Sequence, residues 1–225
     1  MDYVFNQIEQ RYCELSFKNG PRRREWLTGR LAAKQAVRGL LAKLHGLVVP
    51  LADILILQNE VGKPFATGEF INQLGWVPLV SLSHKDGQVL AIAAHPQMGD
   101  SIGIDLETYA EREDGFETLA FTDLEQELLR QVSSDSRKIM MAALWSSKEA
   151  AAKASGIGLR NNPRSIQVHA AIAAGLPDFS QFWQAELLTD QLGIFLPVLV
   201  KRSNKHVIAI SSVPAQLPTE PILSY

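Results

Sequence analysis

The apolar positions of this chain recur at helical spacing in two long stretches and alternate at strand spacing in most of what lies between. From Arg22 to Leu44, Leu27, Leu31, Val37, Leu40, Leu41 and Leu44 form one apolar stripe, which predicts an amphipathic helix behind the turn Asn19-Gly20-Pro21. A second helix is expected from near Arg137 to Ser155, where Lys148, Glu149, Ala150, Ala151, Ala152, Lys153 and Ala154 are nearly all good helix formers and Gly156 supplies the stop. A short helix from Thr122 to Val132 precedes it, opened by the capping box Thr122-Asp123-Leu124-Glu125, with Ser133, Ser134 and Asp135 read as the break.

Strands are expected at residues 53–58, 77–84, 89–94, 101–107, 165–169, 183–188, 195–201 and 206–213. Lys85-Asp86-Gly87 makes a short hairpin connection. Residues 3–18 alternate apolar and polar positions without a clear period and are left unassigned, and residues 108–121 read as an irregular loop. Gln88 to Ala93 (QVLAIA) echoes His206 to Ser211 (HVIAIS). That echo is either chance among apolar strands or the trace of two similar α+β halves, related by a pseudo-twofold, that meet at a cleft.

Composition narrows the class. The 225 residues are 46% hydrophobic and 20% charged, which is ordinary for a soluble globular protein. A formal net charge of −2 argues against bulk attraction to nucleic acid or to an anionic membrane. One cysteine, Cys13, excludes a disulfide framework and a cysteine-rich zinc site. No basic-then-apolar leader and no membrane-length apolar run are present, so the cytoplasm is the expected compartment.

Two acidic elements carry the candidate chemistry. Asp105 and Glu107 lie two apart on one strand and leave it on the same face. Glu149 and Lys153 lie four apart on one helix face beneath Trp145. Two carboxylates about 4–5 Å apart at an effective dielectric near 20 repel by roughly 3–4 kcal/mol before solvent screening. At a solvated strand end that repulsion vanishes. In a cleft shared with Glu149 it needs a proton or a bound cation to relieve it, and oxygen ligands suit Mg²⁺ or Mn²⁺ over zinc. The basic residues Arg22, Arg23, Arg24, Arg30, Lys34 and Arg38 form either a solvated helix face or an anion site. Lys63 in a turn and Ser83-His84 at a strand end are each ordinary surface features or phosphate contacts. P-loop, dinucleotide, zincin and nucleophile-elbow patterns are missing.

The order of these elements adds what no single one gives. Arg22-Arg23-Arg24 with Leu27-Thr28-Gly29-Arg30, Gly62-Lys63-Pro64, Leu82-Ser83-His84, Gly103-Ile104-Asp105-Leu106-Glu107, Phe121-Thr122 with Glu125, and Trp145-Ser146-Ser147-Lys148-Glu149 with Lys153 resemble the Sfp-type 4′-phosphopantetheinyl transferases. The resemblance runs from about residue 20 to 160, with continuation to about 213. Its specific elements are Gly-Ile-Asp-Leu-Glu and Trp-Ser-Ser-Lys-Glu-Ala. Lys85 departs from it, standing where the family has a small hydroxyl residue, and the loop from Thr108 to Ala120 has no counterpart.

The resemblance implies an α+β fold of two similar halves with the active site in the cleft between them. Residues 1–110 would form the first half, 111–213 the second, and 214–225 a loosely held tail. It implies transfer of the 4′-phosphopantetheine arm of coenzyme A to a serine of an apo carrier protein, acyl, peptidyl or polyketide, with release of 3′,5′-ADP. Mg²⁺, or Mn²⁺ in its place, would be held by Asp105, Glu107 and Glu149. Glu149 and Lys153 would be catalytic, and Arg24, Arg30, Lys63, Ser83, His84, Lys148 and Lys153 would bind coenzyme A. Trp145 would be a packing anchor, and the protein would work as a monomer. Competing classes are a Mg²⁺-dependent phosphohydrolase and a non-catalytic coenzyme A or carrier-binding protein of the same fold.

Overall fold

A computed structural model describes residues 3–110, 112–159, 162–171 and 183–215. The fold is α+β. Six helices, α1 (Gln7–Ser16), α2 (Pro21–His45), α3 (Glu69–Gln73), α4 (Phe116–Ala120), α5 (Asp123–Arg130) and α6 (Ser134–Ser155), accompany nine strands among the described residues. The strands are β1 (Leu55–Gln58), β2 (Pro64–Thr67), β3 (Leu79–Lys85), β4 (Gln88–Ala94), β5 (Ser101–Thr108), β6 (Ile166–Ala171), β7 (Trp183–Thr189), β8 (Ile194–Ser203) and β9 (His206–Val213). All pairings are antiparallel. β1 pairs with β2 and β3 with β4, and a five-stranded sheet runs in the order β5-β9-β8-β7-β6.

The two long helices form where the apolar stripe of the first and the helix formers and glycine stop of the second predict them. Pro21 occupies the first turn of α2, and Gly46, at φ 67°, ends it in the left-handed conformation. The α6 helix starts three residues earlier than expected. Ser133, read from the sequence as part of a break, is its N-cap and accepts from the Ser136 N–H. Residues 108–121 are not wholly irregular, since they contain α4. The Pro64 strand was not foreseen either: its proline opens β2, a two-stranded edge where a missing N–H is tolerated.

The unassigned N-terminal segment is the helix α1, closed by a capping box in which Asn6 and Glu9 exchange side-chain and backbone bonds. Its Glu9 is buried and forms an ion pair with Lys34 of α2, 2.5 Å away. Lys34 also donates to Leu51 O at 3.0 Å, and Glu9 Oε1 accepts from the Ile56 N–H of β1 at 3.3 Å. The same wiring recurs in the C-terminal part. Glu125, last residue of the α5 capping box, pairs with Lys148 of α6 at 2.6 Å. Lys148 donates to Pro163 O at 3.2 Å, and Glu125 Oε1 accepts from the Val168 N–H of β6 at 2.9 Å.

The buried apolar side chains separate into two clusters. One joins Val37 and Leu41 of α2 to Ile54, Ile56, Ile71 and Val80. The other joins Phe121, Leu129 and Leu144 to Ile166, Leu187, Leu196, Val200 and Val207. Among the described residues, no helix is long and apolar enough to cross a membrane. Residues 216–225 of the expected C-terminal tail lie outside the described residues.

Candidate active site

The site is built where α6 crosses β5. At Gly103 a β-carbon would fall 2.0 Å from Ala150 O and 2.6 Å from Ala154 N. Only glycine there, facing the small residues Ala150 and Ala154, lets the helix backbone settle this close to the strand. The contact fixes what lies beside it. Asp105, two residues along the same face of β5, receives Lys153 Nζ on its Oδ1 at 2.7 Å. Lys153 also donates to Ile104 O at 3.0 Å.

The β3–β4 hairpin closes the other side of β5 through side chains. β5 is an edge strand, and the outward N–H of Ile104 donates to Ser81 Oγ at 3.0 Å. Ser83, on the same face of β3, donates to Asp105 Oδ1 at 2.9 Å and accepts from Lys153 at 3.1 Å. Lys85, the next residue on that face, lies 2.7 Å from Glu107 Oε1. Ser81 and Lys85 were not assigned roles from the sequence. The period-two spacing of residues 81, 83 and 85 on a strand already places them on one face.

Lys63, Lys153 and Glu149 line a common cavity of about 270 Å³, together with Gln58, Gly62 and Ser81. Lys63 Nζ donates to Ser101 Oγ, and burial lowers the ammonium below its ordinary pKa. Glu149 is half-buried, and its carboxyl is pushed above the ordinary value first by burial, then by Asp105. Lys153 opposes that shift, and Glu107 adds weakly to it.

Arg24 and His84 line a second hollow of about 500 Å³, beside Pro21, Thr28, Lys85 and Asp86. Strand alternation explains the division, since His84 leaves β3 on the face opposite Ser83. Two expected ligand contacts sit elsewhere. Arg30 is 5% exposed, its guanidinium 4.9 Å from the Trp26 ring centroid in an aromatic cluster with Phe5, Tyr12 and Phe17. Lys148 is fully buried, and Glu125, Ala120 O and Pro163 O occupy its ammonium. Trp145 packs edge-on against Phe116 at 5.2 Å, the anchoring role expected of it.

The donor set fits a hard divalent cation in part. Asp105 Oδ2 is buried without a hydrogen-bond partner, and Glu149 sits near it with excess negative charge to relieve. Among the described residues, however, no three His, Cys, Asp or Glu side chains stand close enough together to hold a metal ion. Glu107, expected as the third carboxylate, has its Oε1 surrounded by Lys85, by Arg112 at 3.1 Å and by the Thr108 N–H at 2.9 Å.

Residues 101–210 match the family model of the 4′-phosphopantetheinyl transferase superfamily. No curated protein sequence matches the chain. Among solved structures, the chain is similar to the holo-[acyl-carrier-protein] synthase of Thermotoga maritima, at 17% identity and a TM-score of 0.40. That match covers 53% of this chain and 64% of the Thermotoga chain. It is also similar to the holo-(acyl-carrier-protein) synthase of Bacillus anthracis solved in complex with CoA (3′,5′-ADP), at 22% identity and a TM-score of 0.40. There the match covers 53% of this chain and 97% of the other.

Proposed function

We infer the function from the premise that this chain belongs, through residues 101–210, to the 4′-phosphopantetheinyl transferase superfamily. We propose that it is an Sfp-type enzyme that moves the 4′-phosphopantetheine arm of coenzyme A to a serine of an apo acyl, peptidyl or polyketide carrier protein. The observation that carries this reading is the junction of Lys153 with Asp105 and Ser83, with Glu149 one turn away on the same helix. Asp105, Glu149 and Lys153 lie within the segment that matches the family, and Ser83 joins them from β3 outside it.

The residues divide the reaction among them. The serine oxygen attacks the phosphorus that bears pantetheine, the pyrophosphate P–O bond breaks, and 3′,5′-ADP departs. Glu149, whose raised pKa brings it toward the range of a working base, takes the serine proton. Lys153 and Lys63 face the same cavity and balance the charge growing on the leaving phosphate. Arg24 and His84, around the second hollow, bind phosphate of the nucleotide portion. Asp105 and Glu149 would hold Mg²⁺ or Mn²⁺, which supplies Lewis-acid neutralisation of the pyrophosphate when bound.

The proposal includes two halves, residues 1–110 and 111–213, related by a pseudo-twofold with the site in the cleft between them. What supports it is the repeated Glu–Lys–strand wiring, the two apolar clusters, and the paired hairpin turns at Asp86 and Asn204, both at φ 51°. A cytoplasmic monomer acting on coenzyme A and a carrier, without nucleic acid or membrane, completes the reading.

The test is to incubate the protein with coenzyme A, Mg²⁺ and several apo carrier proteins, then weigh each carrier by mass spectrometry. One carrier gaining a phosphopantetheine-sized mass is the expected result. Release of phosphate or nucleotide with no carrier gaining mass would replace the transferase with a phosphohydrolase. Asp105→Ala is expected to remove the mass gain while the circular dichroism spectrum stays unchanged.

A further inference from the structure

We propose that Lys85 is the resident counter-cation of Glu107 and keeps that carboxylate out of the metal shell, so that a divalent ion is held by Asp105 and Glu149 alone. The inference rests on the metal reading above and concerns how this chain differs from the three-carboxylate expectation.

The geometry follows from the strand period. Along β3, Ser81, Ser83 and Lys85 face β5 and meet Ile104 N–H, Asp105 and Glu107 in turn. The third rung of this ladder is an ammonium against a carboxylate that is 5% exposed. Arg112 brings a second positive charge to the same oxygen, lying off the hydrogen-bond direction but within ion-pair distance. An incoming dication would meet two cations already at Glu107 Oε1, and like charges at such spacing repel. Asp105 meets one cation, Lys153, where Glu107 meets two. One of its oxygens is held by Ser83 and Lys153, and the other is buried without a partner. Glu149 makes no ion pair with a lysine or arginine among the described residues, and it lines the cavity beside Lys153.

A small hydroxyl residue at position 85 would leave Glu107 with one cation, Arg112, and the Thr108 N–H. The lysine therefore converts a carboxylate of the site from a metal ligand into a structural charge that ties the β3–β4 hairpin to β5. Glu107 then acts as a positioning residue, and the metal affinity is set by two carboxylates.

Direct titration of the metal-stripped protein with Mn²⁺, reading free Mn²⁺ by electron paramagnetic resonance without coenzyme A, tests this. Saturable binding that Asp105→Asn abolishes is expected of the wild-type chain. Glu107→Gln should shift the Kd by less than about twofold, whereas Lys85→Gln should tighten it by about tenfold, a gain that adding Glu107→Gln removes. Lys85→Arg should leave the Kd within about twofold, and so should Lys43→Gln, which makes the same change in net charge at the exposed C-terminal turn of α2. The proposal is overturned if Glu107→Gln weakens binding as much as Asp105→Asn, or if Lys85→Gln leaves the Kd unchanged. No saturable binding by the wild type, with Asp105→Asn the same, would instead sink the metal reading on which it rests.

Discussion

The pairs Glu9–Lys34 and Glu125–Lys148 have the same wiring, and only one of them has a site beside it. In both, the carboxylate is the last residue of a capping box and the lysine rises from a long helix. In both, the lysine also reaches a carbonyl just ahead of a strand, and the carboxylate takes an N–H from that strand. The helices diverge one residue later. After Lys148 come Glu149 and, four further on, Lys153; the same steps from Lys34 lead to Gln35 and Gly39. The buried pair is thus a framing element that serves either long helix. The chemistry is added on the adjacent helix face, where it opens to a cavity instead of a core.

That comparison breaks most visibly if a framing lysine is removed. Lys34→Met or Lys148→Met leaves a buried carboxylate without its cation, and each is expected to cost about 3–5 kcal/mol of stability by chemical denaturation. Burial already lowers the pKa of both ammonium groups, which marks how completely each depends on its glutamate. Folded Lys148→Met protein should turn over normally. A selective rise in KM for coenzyme A with stability unchanged would restore Lys148 to the ligand contacts expected from the sequence. Lys153→Met is the converse. It sits a third exposed at the cavity, so the loss of Asp105's cation should cost less stability than Lys148→Met does, while kcat falls by about 10²–10³-fold.

A smaller effect sharpens the contact that holds the two faces in register. Gly103→Ala places a β-carbon against the backbone of α6, and the helix must move to admit it. Overpacking of this kind costs about 1–3 kcal/mol. The activity loss should exceed what the fraction unfolded explains, because the shift also displaces Lys153 from Asp105. Unchanged kcat in the folded fraction would show that the helix tolerates the displacement.

Which parts were readable in the sequence follows from the range of the forces involved. Helices α2 and α6 and strand β9 rest on local periodicity and capping, and they form where the pattern puts them. Asp105, Glu149 and Lys153 were legible because each pair lies at a spacing that one element turns into a shared face. Helix α1 was legible in principle, through Asn6 and Glu9 as a capping box, but its few buried residues gave no apolar stripe. The partners were not legible. Lys34 reads as a member of a basic stripe until Glu9, 25 residues earlier, folds onto it. Lys148 and Lys153 are indistinguishable as residues, and only the packing of α5 against α6 sends one into the core. Lys85 was visible as a departure from a pattern, and its target Glu107 emerged only from the strand pairing.

The smallest predicted effect bears on why Glu149 has no framing lysine of its own. Its carboxyl is raised above the ordinary 4.5 by burial and by Asp105. Between 4.5 and the raised value the folded state keeps a proton that the unfolded state has released. Stability is therefore lost as pH rises through that window, and the loss persists above it. A neutral amide in place of this carboxyl carries no such charge. In metal-free buffer, Glu149→Gln should match the wild type in Tm near pH 4.5 and exceed it increasingly toward neutral pH. Paired thermal melts across that range measure the difference, and a wild-type chain gaining stability over the variant as pH rises would contradict it. Saturating Mn²⁺ should raise the wild-type Tm and leave the variant nearly unmoved, because a ligand stabilises only the state that binds it. The carboxylate left without an ion pair among the described residues is destabilising when charged, for the same reason that it is suited to take up a proton or a cation.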